Sequence, residues 1–509
     1  MRNVGFIGFA VVFAVLATSL LAVAAPDGLT DKEIANAVDD QLIMDSATPA
    51  DDIDVLVNDG IVELSGYVNT ILAKDRAERL ATIVKGVEGV VNNIEITPVY
   101  RVDSEIEEDV EDALLRDPVA ESLEIDSSVE GGTVNLTGPV DSWEEKQLVG
   151  RVAKGVRGVK ALNNDLEIDF TTDRSASEIR TEIEDSIRWD AYLDGALITV
   201  MVEEDGNVTL KGIVGSAAEK DRAYRRGWVP GVKNLDLSDL EVKRWARDED
   251  LRKRKYNAIE DPEIKNAIDH ALKYAPRVAS FDIDVSVDKG VATLRGTVDN
   301  LKAKRSAARY TKGVVGVWRV KNRIKVRGEA PSDKKIKDDL LTAIARNPYL
   351  QPYEITATVV DGTVYWYGNV DSDFEKAQAD ELAANARGVK AVRNQIDVGE
   401  PSGLKYDVYS PYVGTRFYYD YDWQRATPTE SAKSDWEIHE DIKSELFWSP
   451  FVSDDDIKVT VEDGVAVLTG TVDTWGEHEA ATDNAYEGGA TDVDNNLKVE
   501  FGPIYYAPY

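Results

Sequence analysis

One pattern of glycine and valine recurs six times along the chain and constrains its fold more than any other feature. A first glycine is followed six residues later by a second glycine and then, two residues further on, by valine, as in Gly60, Gly66 and Val68. The second glycines of the six copies are Gly66, Gly138, Gly212, Gly296, Gly368 and Gly470. Because self-similarity at a near-constant period is the signature of repeat architectures, the pattern predicts one small module present in six copies.

Each copy has the local features of an α-β-β-α-β unit. A β-branched run such as residues 53–57 precedes Asp59-Gly60, a pair that tolerates the positive φ angles of a two-residue hairpin. The next strand alternates between apolar and polar residues, which is typical of a sheet with one covered face. Amphipathic helices precede and follow the hairpin. The prediction is an α+β fold in which each three-stranded mixed sheet is covered on one face by two helices, with a helix closely approaching the second glycine.

The repeat also sets the domain boundaries. The predicted modules span residues 30–98, 104–170, 176–243, 261–327, 332–398 and 432–501. Two longer spacers interrupt the period, a basic one at 244–260 and an aromatic-rich one at 399–430. For the second spacer three interpretations stay open: its rings stack on sugars, line a groove for a partner, or pack back onto a module.

The N-terminus predicts export. Its first three residues carry one positive charge, residues 4–23 are almost entirely apolar, and Ala22-Val23-Ala24 has the small-residue pattern of a cleavage site. We expect a signal peptide at 1–24 that is cleaved after Ala24, a periplasmic location, and no transmembrane span in the mature chain. The alternative is an uncleaved anchor, because an apolar run of this length can cross a bilayer.

Composition excludes several kinds of chemistry. The 509 residues include no cysteine and three scattered histidines, so thiolate metal sites, disulfides and cysteine nucleophiles are excluded. A net charge of −35 argues against general nucleic-acid binding, which depends on neutralising phosphates with Lys and Arg. No hydrolase elbow, phosphate loop or zinc helix is present. We therefore expect no enzymatic activity, no cofactor, no metal and no nucleic-acid partner, and we interpret His270 as an ordinary surface histidine.

The segments 152–159 and 163–166, which read Val-Ala-Lys-Gly-Val-Arg-Gly-Val and Asn-Asn-Asp-Leu, resemble the closing motif of BON domains. The Gly-x-Val strands that end in Asp-Ser or Asp-Thr resemble the same family. This resemblance implies an envelope protein, often periplasmic, without catalytic residues. It also implies roles in osmotic stress tolerance, in attachment to phospholipid surfaces or in holding other proteins.

Charge is distributed unevenly among the modules. Residues 261–327 contain 15 Lys and Arg against seven Asp and Glu, whereas the chain as a whole is strongly acidic. We therefore expect a dipolar string with one basic module among acidic ones. The candidate contacts with anionic lipid lie on the second helix of this module: Lys302, Lys304, Arg305, Arg309 and Lys312. Three interpretations of this helix stay open: it binds anionic lipid headgroups, docks on the chain's own acidic modules, or is simply solvated.

The sequence as a whole favours an exported, non-enzymatic protein of the cell envelope. We expect it to bind phospholipid surfaces or envelope partners in tolerance of osmotic or envelope stress, with weak contacts from several modules adding through effective concentration. The alternative is a periplasmic chaperone or holdase that keeps unfolded or exported client proteins soluble.

Overall fold

A computed structural model describes most of the six repeats. It covers residues 29–169 (except 46 and 49), 174–193, 197–243 with 246, 259–327 (except 318), 331–398 (except 351, 352 and 354) and 433–499 (except 455, 463, 473, 474 and 491). The predicted signal peptide at 1–24 and the aromatic-rich spacer at 399–430 lie outside these residues, as does nearly all of the basic spacer at 244–260.

The described residues form twelve α-helices, two for each module. These helices are α1 (Asp31–Met44), α2 (Ile71–Thr82), α3 (Asp103–Arg116), α4 (Trp143–Lys154), α5 (Ala176–Arg188), α6 (Ala217–Gly227), α7 (Asp261–Lys273), α8 (Leu301–Lys312), α9 (Asp333–Arg346), α10 (Asp373–Asn385), α11 (Asp435–Trp448) and α12 (Trp475–Glu487).

The strands of the first three modules are β1 (Ile53–Asn58), β2 (Ile61–Val68), β3 (Gly89–Asn92), β4 (Glu95–Ile96), β5 (Asp126–Glu130), β6 (Thr133–Val140), β7 (Ala161–Ile168), β8 (Ile198–Val202), β9 (Asn207–Val214), β10 (Asn234–Asp236) and β11 (Leu240–Val242). Those of the last three are β12 (Ile283–Asp288), β13 (Val291–Val298), β14 (Arg319–Asn322), β15 (Lys325–Val326), β16 (Thr356–Val360), β17 (Thr363–Val370), β18 (Ala391–Val398), β19 (Ile457–Glu462), β20 (Val465–Val472) and β21 (Asp492–Val499).

Each module has one mixed sheet with the second hairpin strand in the middle. In the first module β1 pairs antiparallel with β2, and β2 pairs parallel with β3 and β4, which are two pieces of one edge strand. The other five sheets repeat this order. The predicted α+β fold of repeated three-stranded mixed sheets is therefore confirmed.

The two helices of a module cover the same face of its sheet. In the first module Ile34 of α1, Leu80 of α2 and Leu64 of β2 are completely buried in one apolar core. Strand residues of the opposite parity face away from this core, and Tyr67 is 54% exposed there. The outer face of this sheet is therefore exposed to solvent, whereas the two helices bury the inner face.

The second glycine of each repeat faces a close approach, but the expectation that a helix makes it is wrong. Gly66 has φ +114°, and a Cβ atom there would overlap the carbonyl oxygen of Asp52, where the backbone enters β1. Gly138, Gly212, Gly296 and Gly470 meet a carbonyl at the corresponding place, and Gly368 shares the positive φ. The helix instead approaches the third glycine of the repeat, since a Cβ on Gly86 would lie 3.0 Å from Cδ1 of Ile34.

A repeated aspartate joins the first helix to the hairpin turn. The Asp31 carboxylate accepts hydrogen bonds from the backbone N–H groups of Asp59 at 2.8 Å and Gly60 at 3.0 Å. Asp103, Asp261, Asp333 and Asp435 make the corresponding contacts. The third module has Ala176 at the start of its helix instead.

A repeated asparagine joins the second helix to the last strand. The Asn92 amide donates to the Lys74 carbonyl at 2.9 Å, and its side-chain oxygen accepts from the Ile94 N–H at 3.3 Å. Asn164, Asn322, Asn394 and Asn495 repeat the bond to the helix. In the third module Leu237 occupies the position of this asparagine. The buried residue that pairs with the second glycine, Gly212, is Leu240, three residues after Leu237 rather than two.

The six modules pack against one another in nested pairs, which corrects the expectation of a string. The N–H group just before the third glycine donates to the carbonyl at the end of the first helix of another module. Lys85 donates to Trp448 at 2.8 Å, Arg157 to Arg346 at 2.9 Å and Val315 to Trp189 at 3.0 Å. The first module is therefore paired with the sixth, the second with the fifth and the third with the fourth.

Further contacts connect these pairs to one another. The Arg76 guanidinium lies 4.8 Å from the ring centroid of Phe374 in the fifth module. The Lys154 ammonium lies 2.6 Å from the carboxylate of Asp75 in the first module. A cation–π contact and an ion pair between second helices thus connect the pairs, and a string with independent modules would leave these side chains in water.

Candidate anionic-surface contact on the fourth module

Helix α8 directs its central cations toward the neighbouring fifth module. Arg305 Nη1 lies 2.8 Å from Oδ2 of Asp380 and 3.2 Å from Oε1 of Glu381, and Lys302 Nζ lies 3.8 Å from Glu381. The side chains of Lys302 and Arg305 are only 14% and 21% exposed. These contacts are those expected from the docking interpretation of the helix.

The other three cations of α8 do not form one surface with Lys302 and Arg305. Arg309 donates to Ser306 Oγ at 3.2 Å and lies over the ring of Tyr310. Lys304 is half-buried and Lys312 is exposed at the end of the helix. Contact of this helix with an anionic membrane stays a prediction, but the structure leaves few of its charges accessible.

The edge strand of the same module carries a row of exposed cations. Its sequence alternates strictly, so that every second residue from 319 to 327 is Lys or Arg. All five are exposed: Arg319, Lys321, Arg323, Lys325 and Arg327. Between them Ile324 is buried at 1% exposure and Val320 packs against the core. Residues two apart on a strand lie about 6.5 Å apart, so the row spans roughly 26 Å.

The strand pairing holds this basic row in place. Arg319 pairs with Val291 and Lys321 with Thr293 in the parallel ladder between β14 and β13. The N–H groups of Arg323 and Arg327 continue this ladder, donating to the carbonyls of Leu294 at 2.8 Å and Val298 at 2.7 Å. The row is therefore fixed on the outer face of the sheet, where long basic side chains reach solvent without leaving a core position empty.

The outer face has opposite charge at its two edges. Arg295 on the middle strand is exposed and adds a cation next to the basic row. Asp284 pairs with it on β12, and Asp288 follows at the end of that strand. Positive charge is therefore concentrated along the β14–β15 edge.

This row is peculiar to the fourth module. At the corresponding outward positions the second module has Asn163, Asp165 and Glu167, and the fifth has Arg393, Gln395 and Asp397. None of the other five modules has more than one cation in this segment. Sequence reasoning found the charge of the module but not the row, although the period-two alternation of Lys and Arg was the signal for it.

Sequence reasoning also missed a repeated position that follows the first helix of a module. It holds a buried aspartate in the first three modules, Asp45, Asp117 and Asp190, and each contacts an arginine. Asp117 binds across modules, to Arg277 at 3.1 Å and to the Asn385 amide at 3.0 Å. Burial would raise the pKa of the Asp117 carboxyl, but Arg277 and Asn385 overcome burial and hold the pKa below its usual value.

His270 lies at the contact between the third and fourth modules, which corrects its interpretation as an ordinary surface residue. Its Nε2 atom is 2.9 Å from Oε1 of Glu182, and its ring meets the edge of Tyr274. Burial and the Glu182 carboxylate raise the pKa of Tyr274 to about 12. The histidine therefore contributes to packing between modules.

The described part of the chain contains no group of three or more His, Asp or Glu side chains placed to hold a metal ion. In the same residues, no helix combines the length and the apolar character that crossing a bilayer requires.

Comparison with known proteins shows six matches to one family. A family model described as the BON domain matches residues 30–98, 102–169, 175–244, 260–328, 332–400 and 434–500. A curated relative, osmotically-inducible protein Y of Escherichia coli (strain K12), is 28% identical over 151 residues, which are 28% of this chain and 73% of the relative.

Two solved structures of CdsD, a structural protein of the type III secretion system of Chlamydia trachomatis, are also similar. One, the C-terminal domain, is 13% identical and covers 43% of this chain and 96% of its own, with a TM-score of 0.12. The other is 12% identical and covers 45% and 99%, also with a TM-score of 0.12.

Proposed function

The chain belongs to the BON domain family, and we propose that it is a non-enzymatic protein of the periplasm that attaches to anionic phospholipid surfaces in tolerance of osmotic or envelope stress. The name of the E. coli relative, an osmotically-inducible protein, supports the link to osmotic stress. The single observation that carries the attachment is the row of five exposed cations on the edge strand of the fourth module.

The magnitude of this attraction suits reversible attachment. Each Lys or Arg near an anionic bilayer contributes about 1 kcal/mol, and this contribution falls off within a Debye length of about 8 Å at physiological salt. A row of five cations therefore supplies a few kcal/mol when it lies along the membrane. The acidic modules are repelled by the same surface, so the protein is oriented with its fourth module toward the membrane.

Charge reversal on the strand tests the attachment. The variant K321E/R323E/K325E changes the charge by six units on exposed side chains. The matched variant K334E/K337E/R393E makes the same change on exposed cations of the fifth module. We expect the strand variant to bind phosphatidylglycerol vesicles at least tenfold more weakly than wild type in co-sedimentation, and the matched variant to bind within twofold of it.

Three results would contradict the attachment. They are equal binding by both variants, equal binding of wild type to neutral phosphatidylcholine vesicles, and binding that does not weaken as salt is added. The third result matters because attraction between exposed charges is screened by salt.

A second candidate function is that of a chaperone for unfolded client proteins, and an apolar patch on the first module favours it. Leu56 is 64%, Ile61 41% and Val91 46% exposed on the outer sheet face, where they surround Glu63. If the protein holds clients through this patch, L56E weakens suppression of client aggregation, whereas K321E/R323E/K325E leaves it unchanged. An unchanged L56E variant would argue against this candidate.

A further inference from the structure

A cavity of about 860 Å³ lies where four modules meet. Helices α3 and α4 of the second module and helices α9 and α10 of the fifth form most of its wall. The first module contributes Leu72 and Arg79, and the fourth contributes Arg277 and Lys302. The volume is within the range of sites that hold small organic molecules, which is about 300–1,000 Å³.

The wall of this cavity is basic although the protein is acidic. It contains ten Lys or Arg side chains and six Asp or Glu side chains, in a chain whose net charge is −35. Because clefts with low-dielectric walls concentrate the field of the charges that line them, this excess of cations favours an anion inside the cavity.

The carboxylates of the wall are already bound to cations. Asp112 contacts both Arg116 and Arg346, and Asp339 contacts Arg116 and Lys335. Asp75, Asp117, Glu121 and Glu381 are paired with Lys154, Arg277, Arg387 and Lys302 respectively. One of the lining cations, Lys146, donates to the Leu166 carbonyl at 2.8 Å, so its charge is not neutralised by that bond.

Apolar side chains form the rest of the wall. Leu148 and Leu162 of the second module and Leu340 and Leu382 of the fifth line the cavity. Leu115 also lines it and is 66% exposed, although it lies on a helix that packs between modules. A surface of this kind accommodates an apolar body as well as a charged group.

We propose that this cavity is a binding site for a small amphipathic anion, a molecule with a carboxylate, phosphate or sulfonate group on an apolar body. The basic residues hold the charged group, and the leucines cover the apolar body. The site is separate from the exposed cation row of the fourth module, and it does not depend on attachment to a membrane.

The test uses the full chain and the fluorescent probe 8-anilinonaphthalene-1-sulfonate. L115E places an anion at the cavity wall, and V99E introduces a carboxylate at an apolar residue of nearly equal exposure, 62% against 66%, in the segment that connects the first and second modules. We expect one saturable site per chain in wild type. L115E should weaken binding of the probe at least tenfold, and V99E should leave it within twofold.

Two further measurements separate recognition of the charge from apolar contact. L115R adds a cation at the same position. It should bind the probe no more than threefold more weakly than wild type. The neutral probe N-phenyl-1-naphthylamine should bind wild type at least tenfold more weakly than the sulfonate. Lack of a saturable site, equal loss in L115E and V99E, equal loss in L115E and L115R, or equal affinity for the neutral probe would each overturn the proposal.

Discussion

Glu445 links the contact between the first and sixth modules to pH. It lies on α11, is buried at 6% exposure, and accepts hydrogen bonds of 3.0 Å on both carboxylate oxygens from the Gln41 amide of the first module. Burial, together with Asp441 and Asp40, raises the pKa of Glu445 to about 7, although Gln41 and Lys433 act to lower it. The contact therefore favours a protonated carboxyl.

The sign and size of the pH effect follow from this shift. The folded pKa of about 7 lies above the ordinary value of 4.5, so stability from this group is fully present below pH 4.5 and is lost as pH rises through 7. Each unit of pKa corresponds to about 1.4 kcal/mol, so ionised Glu445 costs the contact about 3 kcal/mol at pH 8.5. E445Q keeps the shape of the side chain and removes this cost.

Hydrogen exchange of peptides from α1 and α11 measures the effect at the contact itself. At pH 8.5 we expect these peptides to exchange up to about 100-fold more slowly in E445Q than in wild type, since each 1.4 kcal/mol is a factor of ten. At pH 4, below both pKa values, the two proteins should agree within threefold. The control E440Q, on the exposed side of the same helix, should match wild type at both pH values. Equal exchange of E445Q and wild type at pH 8.5, or faster exchange of the variant, would refute the reasoning.

Three other perturbations test the module itself. G66A should destabilise the first module by at least about 3 kcal/mol in denaturant unfolding, because its Cβ would overlap the Asp52 carbonyl, whereas G131A, with no atom within 4 Å of its Cβ, should cost about 1 kcal/mol. D31A should cost about 2 kcal/mol and speed hydrogen exchange at Asp59 and Gly60, since it removes two charge-assisted hydrogen bonds; unchanged exchange there would contradict it. Burial raises the pKa of Glu375 to about 7, so E375Q should slow exchange in α10 at pH 8.5 and have little effect at pH 4, below both the folded and the ordinary pKa.

The fold of each module could be predicted from the sequence because its determinants are local. The hairpin turn, the alternation of β2 and the spacing of the apolar residues in α1 each depend on neighbours within one repeat. Six copies of the same pattern reinforce one another. The second glycine was misinterpreted because its partner, a carbonyl at the start of the preceding strand, leaves no pattern in residue type.

The packing between modules could not be predicted in this way. Asp45 and Asp117 occupy the same position in the repeat, yet Asp45 binds Arg76 of its own module and Asp117 binds Arg277 of the fourth. Lys302 and Arg305 of α8 look like free surface charges in the sequence, and only the position of the fifth module shows their partners. The exposed row on the edge strand was predictable, because strand parity alone places residues 319–327 alternately outside and inside.

The nested pairing of modules has a consequence for how the chain is made. A chain synthesised from its N-terminus completes the third and fourth modules close together in time, but the first module must wait for the sixth, some 400 residues later. At roughly 5–20 residues per second this delay is about 20–80 s. During that time the surface of the first module around Gln41 and Lys85 faces water without its partner. The finished protein is therefore assembled from its middle outward, and a chain that stops early keeps its inner pairs and loses the outermost one.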